Sequence, residues 1–519
     1  MINAALILAS CALLFGFASF AATYSYGHFA RRARGAPAHA LPTEPAATLL
    51  DSAANTLTAG REGQNGLALL SDNLDAFAAR AIAARSAGRS LDLMYYIWKN
   101  DLTGRLLAHE VVQAADRGVR VRILLDDINT RGLDGSYLAL DSHPNIQIRL
   151  FNPSRAREDG LKRGAEMVLR AFSVTRRMHN KAWIADGRCA IIGGRNIGDE
   201  YFAAARASNF RDLDLLLLGP GVQQTETIFD AYWNSDFVIP IGALARWRRP
   251  RIKRFRRNLA RIANGRQAEP YIAKLREHVS LSELIDLSDR LHWAETVEIL
   301  SDPPEKAAGE KQANWLMARL LPLITEAERC VEITTPYFIP GDEGVRRLVE
   351  LVERDVEVAV LTNSLAATDV AAAHGAYAQY RAALIAGGVR LYELQPYARK
   401  HEISAFGSSG ASLHTKAFTV DGKRGFIGSL NFDPRSASVN TEMGVLFEQP
   451  ELIARMRELF RLDTDPRASY GVSLQPGGGL SWRGLRNGRT QIYDNDPGAS
   501  LARRTLAFLI GLMPIQSQL

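Results

Sequence analysis

Three observations predict an α/β architecture of two similar lobes, each a mixed β-sheet flanked by helices, preceded by a transmembrane helix. A polar motif occurs twice with identical gaps. The apolar patterns around one copy recur in order around the other. Near the N-terminus the chain is almost entirely apolar from Ala4 to Ala22, about long enough to cross a bilayer once.

The first segment, 1–45, reads as a membrane anchor and linker. Tyr24, Tyr26 and Phe29 follow the apolar run and suit an interfacial belt, and Arg31, Arg32 and Arg34 come next. No Lys or Arg precedes the run, which argues against a secretory signal peptide. Leu8-Ala-Ser-Cys11 is a poor lipoprotein signal, and Ala38-His-Ala40 is awkwardly placed for cleavage behind three arginines. The positive-inside rule then puts the rest of the chain on the cytoplasmic side.

The lobes are expected at 46–240 and 296–461. Leu70-Ser71-Asp72 recurs as Leu300-Ser301-Asp302, and the strand pattern Leu91 to Trp98 as Val331 to Phe338. A helix with apolar spacing follows in each half (Leu106, Leu107, Val111, Val112; Val345, Leu348, Leu351, Val352). Strands come after it at Val119–Leu125 and Ile146–Phe151, then at Val356–Leu361 and Val389–Glu393. Strands alternating with helices argue for βαβ units around a mixed sheet.

Between the lobes, 241–295 holds a basic helical segment. Arg246, Arg248, Arg249, Arg251, Lys253, Arg254, Arg256, Arg257 and Arg261 crowd together, with Ile252, Phe255, Leu259 and Ile262 at helical spacing. This reads as an amphipathic helix on an anionic lipid surface, with a solvated linker or a nucleic-acid patch as the alternatives. The extension 462–519 ends in an apolar stretch, Thr505 to Ile515, too short to span a membrane comfortably. It reads as a docked helix or an interfacial element. The net charge of +7 suits either polyanion. Three cysteines far apart in sequence (Cys11, Cys189, Cys330) make no disulfide framework.

The motif carries the chemistry. One copy is His179-Asn-Lys181, Asp186, Gly193-Gly194-Arg195-Asn196; the other is His414-Thr-Lys416, Asp421, Gly428-Ser429-Leu430-Asn431. His and Lys two apart point to one face of a strand. The Asp-Gly pairs Asp186-Gly187 and Asp421-Gly422 signal a hairpin that brings the Asn back beside them. The small residues at 193–194 and 428–429 would let an anionic group approach the backbone. Two Lys and two Asn can hold phosphate oxygens, one neutral His can attack phosphorus, and one protonated His can serve the leaving oxygen. No carboxylate and His cluster with metal-ligand spacing accompanies the motifs, so the reading is metal-free, with no cofactor.

The paired motifs resemble those of the phospholipase D superfamily, over roughly 46–461. The resemblance implies two phospholipase D-like lobes related by a pseudo-twofold axis, each supplying half of one site. It implies catalytic sets His179, Lys181, Asp186 and His414, Lys416, Asp421, with phosphate bound by the lysines, Asn196 and Asn431. It makes His179 the nucleophile that forms a phosphohistidine and His414 the proton donor, a choice the symmetric sequence itself leaves open. Asp186 and Asp421 look like organisers of the hairpin rather than proton carriers. The family also places an acidic residue behind each His. Glu442 fits in the second half and Asp212 in the first, with Asp214 as the rival; Asp212 and Glu442 each lie eight positions before a Pro.

The anchor, two lobes and apolar tail, together with Tyr95-Tyr96-Ile-Trp98 and Phe210-Arg-Asp-Leu-Asp214, are similar to bacterial cardiolipin synthases, most nearly the C type. This likeness implies a phosphatidyltransferase of the bacterial inner membrane that makes cardiolipin from phosphatidylglycerol and a second phospholipid, either phosphatidylglycerol or phosphatidylethanolamine. No nucleic acid partner is expected. A headgroup-hydrolysing phospholipase D and a phosphodiesterase nuclease are the competing readings. A non-catalytic scaffold is disfavoured because no motif His or Lys is missing.

Overall fold

The two halves of the chain fold into sheets of the same strand order. The computed structural model describes residues 2–44, 47–157, 160–245, 252–277, 291–309, 315–397, 410–511 and 513. Its first half contains β1 (Asn65–Leu70), β2 (Ser90–Tyr95), β3 (Arg120–Asp126), β4 (Ile146–Phe151), β5 (Ala182–Ala185), β6 (Cys189–Gly193), β7 (Ser208–Arg211), β8 (Asp214–Leu218) and β9 (Val238–Pro240). After β10 (His292–Ala294), the second half contains β11 (Val297–Ser301), β12 (Cys330–Thr334), β13 (Glu357–Asn363), β14 (Arg390–Leu394), β15 (Gly410–Leu413), β16 (Ala417–Val420), β17 (Arg424–Gly428) and β18 (Met443–Phe447). The order β1-β8-β6-β5-β2-β3-β4 in one sheet matches β11-β18-β17-β16-β12-β13-β14 in the other. In both, the three strands of the βαβ units run parallel and the motif hairpin pairs antiparallel to them.

The hairpins form as their residues dictate. Asp186 and Gly187 both take positive φ (54° and 65°), as do Asp421 and Gly422 (56° and 67°). A type I′ turn requires this geometry at its two central positions, and Asp-Gly is suited to it. The repeated Leu-Ser-Asp also has a local reason. Asp72 caps the helix Asn73–Ser86 by accepting from the Leu74 and Asp75 amides, and Asp302 accepts from the Leu316 amide where the helix Leu316–Thr325 begins.

Two segments outside the repeats join the lobes. β10 adds to the edge of the first sheet by pairing with β1. In the basic helix Ile252–Ala263, Leu259 is buried in the first lobe's core and Phe255 and Ile262 pack against it. Protein therefore covers the apolar face of this helix, and the expected contact with an anionic lipid surface is left to its basic residues. Arg246, Arg248, Arg249 and Arg251 lie outside the described residues. At the other end, β19 (Ser469–Leu474), β20 (Leu480–Arg486) and β21 (Arg489–Tyr493) extend the second sheet from β14. The last helix, Leu501–Gly511, docks Ala507 on Gly375, where a Cβ would stand 2.3 Å from the Ala507 carbonyl oxygen. Buried Arg381 ties this extension in, bonding Glu393 of β14 at 3.1 Å and Asp496 at 2.9 Å. His374 Nε2 also reaches Asp496. A guanidinium thus already serves the one grouping of His and carboxylates with metal-ligand spacing among the described residues.

The N-terminal apolar run is one helix, Ile2–Ala33, long and apolar enough to cross a membrane and exposed along its apolar stretch. Its C-terminal part packs on the first lobe. Ser19 Oγ donates to the Leu169 carbonyl at 2.5 Å, and Arg170 and Arg155 stack on Tyr26 and Phe29.

Candidate active site

Strand pairing between the lobes builds the site. β7 and β15 form a two-stranded parallel sheet in which Arg211 faces Leu413. The next residues along, Asp212 and His414, are therefore neighbours. A parallel bridge between Met178 and Thr441 does the same for His179 and Glu442. The His414 amide donates to the Arg211 carbonyl at 2.8 Å, and the His179 amide to the Thr441 carbonyl at 2.9 Å. His414 Nδ1 lies 2.6 Å from Asp212 Oδ2, and His179 Nδ1 lies 2.8 Å from Glu442 Oε2. Each histidine is held by the other lobe's carboxylate. With Nδ1–H donated to a carboxylate, Nε2 keeps the lone pair and is the atom left for chemistry.

The rival acid has a different post. Asp214 is buried against Arg80 at 2.8 Å and Arg195 at 3.2 Å, and it accepts the Arg195 amide. The small residues of the motif also serve a purpose other than the expected one. A Cβ on Gly194 would stand 2.2 Å from Asp212 Oδ1, and one on Gly193 2.2 Å from Asp214 Oδ1. The anionic groups these glycines admit belong to the protein itself. In the second motif Ser429 replaces the second glycine, and its hydroxyl donates to Glu442 at 2.5 Å. Ser436 Oγ donates to the other Glu442 oxygen at 2.8 Å, and the Glu442 amide donates to Asp302.

Lys181 and Lys416 are buried beside the rings. Lys181 Nζ donates to the His179 carbonyl at 2.5 Å, and Lys416 Nζ donates to the His414 carbonyl and lies 3.0 Å from His414 Nδ1. The asparagines differ. Asn196 Oδ1 accepts the Ile97 amide and its Nδ2 donates to Tyr201 Oη at 2.9 Å, so most of this carboxamide is engaged. Asn431 is buried with its Oδ1 lacking a hydrogen-bond partner among the described residues. Asp186 and Asp421 stand at the far ends of their strands, roughly 20 Å from the histidines at about 3.3 Å per residue. Asp186 accepts the Gly88, Arg89 and Ser90 amides, and Asp421 those of Glu328, Arg329 and Cys330. Their membership of the catalytic set is corrected by this placement: they pin the hairpin turn to the start of β2 or β12 and touch no reacting group.

Electrostatics show how crowded the site is. Burial pushes the His179 imidazole down to about 4 and His414 well below the usual histidine range, with the nearby lysines adding to the effect. Burial also lowers Lys181 strongly and brings Lys416 to about 8. His179 and Lys181 act on His414, and Lys416 acts on His179, so the four groups share one field. Such a cleft is short of negative charge, and a phosphodiester anion would restore the protonated forms. The two acids respond differently. Burial raises Asp212, while for Glu442 the opposing pull of His179, Lys181 and Ser429 outweighs burial and lowers it.

Several site residues were not singled out as such from the sequence. Tyr96 stands edge-on to the His179 ring at 4.9 Å, Tyr201 edge-on to His414 at 5.1 Å, and Phe210 packs on His414 at 4.9 Å. Asp369, exposed on the loop after β13, accepts from Tyr337 Oη at 2.9 Å, and its charge favours the protonated forms of His414 and Lys416. Tyr201 and Ser436 each fall five positions after a motif Asn, a signal the duplicated spacing does contain.

The family model described as "Cardiolipin synthase, PLD-like domain" matches residues 82–233 and 320–464. The chain is 39% identical over 472 residues to "Cardiolipin synthase C" of Escherichia coli (strain K12), covering 90% of this chain and 99% of that one. It is 24% identical over 403 residues to a cardiolipin synthase of Oceanobacillus iheyensis, covering 77% and 69%. A crystal structure of phosphatidylserine synthase from Haemophilus influenzae Rd KW20 superposes with TM-score 0.53 at 14% identity, covering 78% of this chain and 87% of that one, a likeness of fold. With both halves of the family's domain present and both motif copies intact, the chain belongs to the cardiolipin synthase family of phospholipase D-like enzymes.

Proposed function

We propose that this enzyme is a membrane-associated phosphatidyltransferase that makes cardiolipin from phosphatidylglycerol and a second phospholipid. The observation that carries the reading is the pair of crossed imidazole–carboxylate contacts, which leaves two Nε2 atoms and two lysines for one phosphodiester. His179 Nε2 attacks phosphorus and the bond to the headgroup oxygen breaks. His414 Nε2 gives its proton to that oxygen, releasing glycerol or ethanolamine and leaving a phosphatidyl group on His179. A hydroxyl of phosphatidylglycerol then attacks phosphorus, His414 takes its proton, and the P–N bond breaks to restore His179. Lys181, Lys416 and Asn431 stabilise charge on the non-bridging oxygens. Glu442, held as a carboxylate by Ser429 and Ser436, steadies the imidazolium character that His179 gains in attack. This favours His179 over His414 as nucleophile.

The catalytic lobes are placed at the cytoplasmic face of a bacterial inner membrane, the arrangement that the arginines closing the apolar helix favour. The test is reconstitution of the full chain with labelled phosphatidylglycerol, with and without phosphatidylethanolamine. Cardiolipin is the expected product, and rapid quenching in denaturant at neutral to mildly alkaline pH should trap a phosphatidyl adduct on the peptide bearing His179. Phosphatidic acid as the main product would mean a hydrolase, and cleavage of an oligonucleotide with inert lipid would mean a nuclease. His179→Ala and His414→Ala should each abolish turnover.

A further inference from the structure

Two helices outside the site expose apolar side chains, and neither supplies a group to the chemistry. The first is Gly160–Leu169, in the segment that leaves the carboxyl end of β4 and runs on to His179. It buries none of its residues, and Leu161 and Val168 are 89% and 59% exposed. The second is Leu501–Gly511 on the other lobe. Its Ala507 face docks on Gly375, while Leu506 and Phe508 are 51% and 65% exposed and Leu509 is exposed beside them. It also borders the loop that carries Asp369, since Arg503 donates to the Thr368 carbonyl. Val370, next to Asp369, adds another exposed apolar side chain.

The first helix therefore lies on chain leaving the carboxyl end of β4, and the second packs on the helix Ala371–Ala378 that follows the carboxyl end of β13, so both stand toward the edge of each sheet where its motif histidine stands. Apolar surface of this extent on separate elements around one opening marks an interaction site. The occupant is indicated by the N-terminal helix. It is long and apolar enough to span a bilayer, and Ser19, well inside its length, donates to Leu169 at the end of the first flanking helix. A bilayer crossed by one must bathe the end of the other.

We propose that these two helices seat the mouth of the cleft on the bilayer, Gly160–Leu169 from the first lobe and Leu501–Gly511 from the second, so that phospholipids enter headgroup-first from the membrane. The basic helix Ile252–Ala263, with its apolar face covered, has no part in this insertion. The inference rests on the lipid reading above, but part of its test is independent of catalysis.

Two variants of the full chain are compared in bilayer nanodiscs containing phosphatidylglycerol, Leu161→Glu/Val168→Glu and Leu506→Glu/Phe508→Glu. Turnover of bilayer phosphatidylglycerol should fall at least about tenfold in each, the scale expected for losing two apolar anchors. Turnover of a short-chain phosphatidylglycerol kept monomeric should stay within about twofold, and Leu→Ser and Phe→Ser versions should be intermediate. In parallel, nitroxide labels on Leu161→Cys and Phe508→Cys should be reached by oxygen and shielded from a water-soluble relaxation agent. Labels fully open to the aqueous agent in discs would overturn the proposal whether or not the protein turns lipid over. Unchanged bilayer turnover would also overturn it, as would equal losses on both substrates.

Discussion

Asp212 and His414 lie 2.6 Å apart although 202 residues separate them, and the contact joins one lobe to the other. Its mirror, Glu442 with His179, spans 263 residues. Neither lobe alone holds a correctly supported imidazole. On the mechanism proposed above, the crossing makes closure of the two lobes a condition of catalysis.

Asp212→Asn and Glu442→Gln should each keep the fold while letting the histidine it supports adopt the wrong tautomer. A loss in kcat of about 10³ to 10⁴ is expected, on the scale seen when a buried carboxylate behind a catalytic histidine is neutralised. Because each pair acts as a unit, Asp212→Asn combined with His414→Ala should be no slower than His414→Ala alone. Multiplying losses in single-turnover assays would show that Asp212 acts elsewhere.

Asp186→Ala should damage stability rather than chemistry. It removes a carboxylate that accepts three backbone amides, and about 3 kcal/mol of unfolding free energy is expected to go with it. The folded fraction at low temperature should retain a near-normal kcat. Denaturation midpoints and active-site-normalised rates separate the two effects, and a folded protein with kcat down by orders of magnitude would return Asp186 to the chemistry.

The pH profile of kcat/KM reports the unliganded site. His179 must be neutral to attack, and burial brings it to about 4, so the rate should rise as pH increases through that value. His414 must carry a proton for the leaving oxygen, and burial holds it well below the usual histidine range, so a first fall should begin on the alkaline side of that low value. Lys416, brought to about 8 by burial, must be charged to hold phosphate, so a second fall should come as pH passes about 8. Removing Lys416 should take the second fall with it; a fall near pH ~8 persisting unchanged in Lys416→Met belongs to another group.

Asp369→Asn removes a charge that favours the protonated forms of His414 and Lys416. Both falls should move to lower pH, making the loss of rate larger near pH ~8 than near pH ~6. Parallel profiles for the variant and the parent would show that Asp369 does not act on the reacting groups.

Much of the site was legible because the duplicated gaps are themselves geometric constraints. His179, Lys181 and Asn196 come together through one hairpin, and strand period, Asp-Gly turn and return strand are local rules. The partner of each acid was not legible, because Asp212 reaches His414 only through the β7–β15 ladder between lobes, a pairing that no local pattern encodes. The glycines at 193 and 194 misled because what approaches them is not a ligand but carboxylates of the same lobe, Asp214 on the neighbouring strand β8 and Asp212 just before it. The basic helix showed its amphipathic period plainly, yet whether protein or lipid covers Phe255 and Leu259 depends on the surface that lobe one offers.

By itself, then, the sequence determined the duplicated α/β plan, the N-terminal apolar helix and the set of groups able to handle a phosphodiester. Those follow from side-chain periodicity and from chemistry repeated at fixed intervals. Only the tertiary structure decided that the carboxylates cross over, that Asp186 and Asp421 bind backbone, and which apolar faces remain uncovered. Those are outcomes of packing between segments far apart in the chain, from 91 residues between Cys330 and Asp421 to 263 between His179 and Glu442, where burial and strand register, not local preference, choose the neighbour.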